Sequence, residues 1–169
     1  SIFPELFSDN KCSRDDALII GRENDTRIAK WIKSKYLKLP DNFNSYKVFI
    51  PKANGSGEFG EALGGPIIGE PQHGHNTTFL SIGNFETYDE AYACLKYIKT
   101  KFTRTMLGIR KVTQDNSKRA WEFVPNQDFT SKSDIDWSLP IPEIDQQLYK
   151  KYRIQDYADF IEKSVKPME

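Results

Sequence analysis

Apolar and polar residues along the chain recur with two different periods. Residues 17–21, Ala-Leu-Ile-Ile-Gly, form a short apolar run closed by glycine, the pattern of a buried strand. Residues 46–51, Tyr-Lys-Val-Phe-Ile-Pro, predict a second strand stopped by Pro51. A third is predicted over 78–82, before Gly83, and Trp121 to Val124 reads as a last short one. Between the second and third lies a loop-like stretch, 52–77, holding seven of the ten glycines, with Ile67-Ile68 as a possible short strand inside it.

Helical spacing takes over elsewhere. Ile28, Trp31, Ile32 and Tyr36 recur at intervals of three and four, which predicts a helix over 26–37 capped by Asn24 or Asp25. Thr87 followed three residues later by Glu90 is a capping box, since each side chain can satisfy a free backbone N–H at a helix start. The stripe Ala91, Cys94, Leu95, Ile98, Phe102, Met106 carries that helix on to about Gly108. Pro142 predicts a helix start running to about Tyr152, and a final helix spans about 156–165. Helices gather late rather than alternating with strands. The predicted class is therefore α+β: a small mixed β-sheet packed with a long amphipathic helix, and a helical C-terminal tail. Residues 1–137 read as the main unit and 138–169 as a helical extension on it.

Length and composition agree with a folded chain: 169 residues, 38% hydrophobic, 13% aromatic. No run of about 20 apolar residues occurs, so no membrane span is expected. The start, Ser1-Ile2-Phe3-Pro4, lacks Met and has no signal-peptide pattern, which suggests an internal cut from a longer chain. Two distant cysteines, Cys12 and Cys94, suggest neither a disulfide framework nor a zinc site, and point to a reducing cytoplasm.

The net charge of zero conceals a strong segregation. Residues 22–57 carry +5 and residues 96–119 carry +7, while residues 58–95 between them carry −6. If the two basic blocks fold onto one face they make a local positive patch; if not, they are solvated faces balanced by neighbours. Within the second block Lys101, Arg104 and Lys111 share a predicted helical face with Tyr97, and Gln114 and Asn116 follow. Lys and Arg neutralise phosphates, and Gln and Asn can pair with adenine edges. In the first block Lys52, Asn54 and Ser56 sit on a glycine-rich loop beside a strand end, where they suit phosphate oxygens or base edges.

Other motifs carry less chemistry. Gly55-Ser56-Gly57-Glu58-Phe59-Gly60 has dinucleotide-loop spacing, but Gly64-Gly65-Pro66 precludes the helix that such a loop requires. His73-Gly74-His75 has no Cys or carboxylate close by on its C-terminal side and reads as a surface loop, so no metal site is expected. Asp134-Ile135-Asp136 reads as turn or cap residues; a magnesium-binding nuclease pair is the rival reading. No activated nucleophile stands out, and no catalytic residue is assigned.

Taken in order, the stretches SIFPELFSD, IIGREND, YKVFIPKANGSGEFGEAL, TFLSIGNFETYDEAYACLKYIKTKFTRTMLGIRKVTQDN, VPNQDFT, SDIDWS, EIDQQLYKKY and FIEKSVKPME cover nearly the whole chain. They resemble the C-terminal, target-recognition region of bacterial adenine-specific type II restriction–modification DNA methyltransferases. The resemblance implies a non-catalytic module that positions duplex DNA for methylation, and in some enzymes cleavage, by other domains of a parent chain. The family's Asn-Pro-Pro-Tyr/Phe motif and its glycine-rich S-adenosylmethionine motif are absent from these residues, so that cofactor is expected in the parent's catalytic domain and none in this fragment. No base-reading residue is carried over from the family; the eight candidates rest on chemistry and position. A rival of another class is a docking module that binds the parent's other domains through Tyr92, Tyr97 and the C-terminal helices, without touching DNA.

Overall fold

A computed structural model of the chain describes residues 4–24, 26–53, 58–110 and 118–168. Among these residues it has an α+β fold built from two three-stranded sheets and four α-helices. Strands β1 (Asp16–Glu23) and β2 (Thr26–Lys33) form an antiparallel hairpin, and β5 (His73–His75) adds to β1 in parallel. The second sheet is antiparallel, with β3 (Tyr46–Pro51) between β4 (Ile67–Gly69) and β6 (Phe79–Phe85).

The hairpin overturns the predicted helix at 26–37. Thr26-Arg-Ile-Ala-Lys-Trp-Ile-Lys33 places Ile28 and Ile32 four apart, an interval that suits either period, while Trp31 falls on the other face of a strand, and the tip decides. Asn24 takes a left-handed φ of 48°, which turns the chain back so that β2 pairs with β1 over their full lengths, from Glu23 opposite Thr26 to Asp16 opposite Lys33. Only Ser34–Tyr36 retains a helical turn, of the tighter 3-10 kind. The reverse correction applies at Trp121, where the expected strand is a 3-10 helix over Lys118–Phe123.

Helix α1 (Tyr88–Lys99) begins as the capping box requires: Thr87 Oγ1 accepts from the Glu90 N–H at 3.2 Å. The Glu90 carboxylate accepts from Glu86 N–H at 3.0 Å, one residue before the position usual for the box. The predicted long helix then breaks at Thr100, whose ψ of 150° is extended, and restarts as α2 (Lys101–Arg110). The new start is capped locally, where Thr100 Oγ1 accepts from the Thr103 N–H at 3.1 Å, and from far away in sequence. Asp145, on α3 (Ile141–Lys151), accepts from the N–H groups of Lys101 (3.0 Å) and Phe102 (2.8 Å) and so caps a new helix start. The last helix, α4 (Ala158–Ser164), follows a 3-10 turn at Gln155–Tyr157.

The largest core cluster joins Tyr97, Phe102, Ile135 and Trp137 to Ile144, Leu148 and Tyr149 of α3 and Ile161 of α4. A second one, under β3, gathers Val48, Ile50, Leu63, Cys94, Ile98, Leu107 and Ala120. Leu63 anchors the long loop after β3 against α2. Gly108 permits the contact: a Cβ there would lie 3.0 Å from Phe59 and 3.1 Å from the Gly60 nitrogen.

Candidate nucleic-acid interface

The basic stretch at the α1–α2 junction is spent inside the protein. Lys96 Nζ donates to the carbonyls of Trp137 (2.7 Å), Ser138 (3.3 Å) and Leu139 (2.6 Å). Lys101 Nζ donates to the Glu162 carboxylate (2.5 Å) and carbonyl (2.9 Å). Arg104, expected on a phosphate-facing surface, is only 1% exposed. Its guanidinium donates to Lys99 O (3.2 Å), Thr100 O (3.4 Å), Gly60 O (3.1 Å) and Lys166 O (2.5 Å). Burial lowers its pKa, opposed by the nearby Asp145 and Tyr149. The helical break at Thr100 is the physical reason for this correction: it turns the face carrying Lys101 and Arg104 toward α3, α4 and the C-terminal tail. Tyr97 is likewise buried, and its hydroxyl donates to Pro125 O at 2.7 Å, so it cannot serve a docking surface.

Cations remain exposed at the hairpin tip instead. Arg22 and Arg27 are directly opposite one another in the β1–β2 register, and both are exposed. Two like charges in such a pair repel, and a bound anion relieves that repulsion. Arg27 also donates to Gly65 O at 2.5 Å and lies 5.7 Å from the Phe79 ring. Phe79 pairs with Pro51 across the second sheet, and next to it the exposed Lys52 donates its N–H to Thr78 O at 2.8 Å. Asn76 borders the same corner. Its amide packs against Gly21, and its Oδ1 accepts from the Thr78 N–H (3.0 Å) and hydroxyl (2.6 Å). Sequence reasoning missed Arg22 and Arg27 because it read a helix there; the Asn24-Asp25 turn signal between two apolar runs marks the hairpin.

The loop after β3 ties this corner to the second basic block. Gly65 bonds Arg27, Leu63 packs beside Leu107 and Ala120, and Phe59 and Gly60 rest against Gly108. Arg119 is exposed just before Ala120. Asn54, Ser56, Lys111, Gln114 and Asn116 lie outside the described residues, but Glu58 and Arg110, where description resumes and stops, flank the Phe59–Gly108 contact.

The remaining motifs are held by other contacts. Asp134 is ion-paired with Lys151 at 2.6 Å, and Asp136 accepts from the Ser138 N–H (2.9 Å) and hydroxyl (2.6 Å), which lowers its pKa. Among the described residues no group of three or more His, Cys, Asp or Glu is arranged to hold a metal ion, and no helix is long and apolar enough to cross a membrane. No family model, curated protein or solved structure matches the chain.

Proposed function

We propose that this chain is a non-catalytic, DNA-contacting target-recognition module of a cytoplasmic restriction–modification adenine methyltransferase. It holds duplex DNA while other domains of the parent, which bind S-adenosylmethionine, carry out the chemistry. The observation that carries the reading is the corner where Arg22, Arg27 and Lys52 stay exposed and where the 58–65 loop joins them to the C-terminal end of α2. In this reading Arg22, Arg27, Lys52 and Arg119 hold phosphates, which sets register. Asn54 and Ser56 follow Lys52 in sequence, Lys111, Gln114 and Asn116 follow Arg110, and base edges are assigned to the amides among them.

Fluorescence anisotropy with a labelled duplex, scanned over salt, tests the proposal. Binding is expected at about 50 mM salt, and log K should fall linearly with log salt. The Arg27→Ala/Lys52→Ala double variant should lower that slope by about 2, one for each lost phosphate contact. An unchanged slope removes both residues from the interface. No binding by the intact chain at low salt favours the docking reading, for which the exposed Tyr157 (65%) and Phe160 (59%) on and before α4 are the specific support.

A further inference from the structure

The two histidines that the nucleic-acid reading leaves unused lie beside a buried lysine between the sheets. Positions 73 and 75 of β5 share one side of the strand, and both line a cavity of about 260 Å³ together with Lys47 of β3 and Ser81 of β6. Lys47 is 1% exposed. Buried cations are ordinarily paired with an anion. This one donates to two carbonyls, Asn42 O (2.8 Å) and Phe43 O (2.9 Å), and has no carboxylate partner among the described residues. Its third hydrogen has no acceptor among them.

The neighbouring groups supply further free donors. His73 Nδ1 accepts from the Glu70 N–H at 3.2 Å, so the proton of the neutral ring sits on Nε2. Ser81 Oγ accepts from the Asn42 amide at 3.3 Å, which leaves the hydroxyl hydrogen available. His75 Nδ1 is 2.8 Å from Asn76 O, which assigns its proton to that bond. Among the described residues no Asp or Glu lines the cavity; Lys38 is a further charged lining group, and Ile19, Leu37 and Phe49 give it apolar walls. Burial lowers the Lys47 pKa to about 8, so the ammonium is still mostly charged at pH 7. Burial also lowers that of His73, with Lys47 and Lys11 acting in the same direction and Glu70 against.

We infer that this cavity binds a small organic carboxylate, which takes hydrogen bonds from Lys47, His73 and Ser81 and lays its apolar body against Ile19, Leu37 and Phe49. The inference stands independently of DNA binding. It completes an arrangement of three donors and one buried positive charge that otherwise lacks an acceptor.

Benzoate and its neutral isostere benzamide, each titrated into the ¹⁵N-labelled 169-residue chain at pH 7, test it. Benzoate at about 10 mM, above the millimolar Kd that weak binding implies, should shift the amide resonances of Lys47, His73, Gly74 and Ser81 saturably. Benzamide should not. Lys47→Met should weaken benzoate at least tenfold, and Ser81→Ala about threefold or more. Saturating benzoate should also raise the midpoint of the Lys47 Nζ titration by about one unit or more, a readout that holds even if Lys47→Met fails to fold. No saturable shift with benzoate, an equal response to benzamide, an unmoved Lys47 midpoint, or full binding by a folded Lys47→Met variant would each overturn the assignment.

Discussion

Arg104 and Lys47 are both 1% exposed, yet they sit in opposite situations. Arg104 spreads its guanidinium over four carbonyls from three segments: the α1–α2 break, the loop at Gly60 and the tail at Lys166. Its charge is also balanced by Asp145 nearby. Lys47 has two carbonyls from one turn, no carboxylate partner among the described residues, and a cavity beside it. The planar fork reaches backbone carbonyls in three separate segments and so links them, whereas the compact ammonium bonds a single turn and borders a cavity. Burial of a cation therefore does not by itself mark either structure or function. What distinguishes the two is the spread of their partners and the presence of open space beside them.

The largest effect expected from this contrast is on Arg104. Arg104→Ala removes the guanidinium from four carbonyls, of which Thr100 O keeps the backbone N–H of residue 104, and leaves the loop, the helix break and the tail unlinked. It should cost roughly 3–5 kcal/mol, the range for removing one member of a buried charged group's partnership. Urea denaturation should then give a lower midpoint, and a loss below about 1 kcal/mol would mean that the three segments hold together without it.

The next effects are in pH. The unfolded chain keeps the Lys47 proton up to its ordinary 10.5, while the folded chain loses it near 8, so the unfolded state binds more protons between those values. Stability should rise by about 3 kcal/mol as pH climbs from 8 to 10.5, and Lys47→Met should flatten that rise. Asp145 behaves in the opposite sense. Burial pushes its pKa up from 3.8 to about 6, against the two N–H groups that it caps and Arg104. The folded state holds the extra proton here, so stability is greatest below about 4 and falls by about 2–3 kcal/mol as pH rises through 6. Asp145→Asn should abolish that fall. Chemical denaturation across about pH 3 to 11 measures both windows, and a flat profile for the intact chain would sink the account of both groups.

The smallest effects on stability belong to the exposed corner. Arg27→Ala and Lys52→Ala should each change the unfolding free energy by about 0.5 kcal/mol or less. Removing Arg22 alone should be neutral or slightly stabilising, because it relieves the pairing with Arg27. A loss above about 2 kcal/mol in any of the three would place that cation with Arg104 rather than with a ligand-facing surface.

Much of the fold was legible in the order of residues. The apolar runs of β1, β3 and β6, the Thr87/Glu90 cap of α1 and the Pro142 start of α3 all rest on neighbours within about four positions. Such signals survive in one dimension because the atoms that make them are local. The candidate corner was half legible. Lys52 stayed on the surface where its glycine-rich surroundings suggested, but Arg22 and Arg27 were hidden inside a spacing that helix and strand share.

Local chemistry thus determined the α+β class, the capped helix, the central strand of the second sheet and the segregation of charge into two basic blocks. Tertiary contact decided which of those charges remain available. Asp145, 44 residues beyond Lys101, joins the local Thr100 cap at the break in a periodic helix, where Lys101 and Arg104 turn inward. Pairing with β1 made a strand of residues with helical spacing and set two arginines side by side at its tip. The meeting of two sheets enclosed Lys47 with His73 and Ser81. The hairpin closes between near neighbours, Glu23 and Thr26, whereas Asp145 and the facing sheet are distant along the chain, and there the free energy of burying or satisfying a polar group exceeds the few tenths of a kcal/mol by which local propensity prefers one conformation to another.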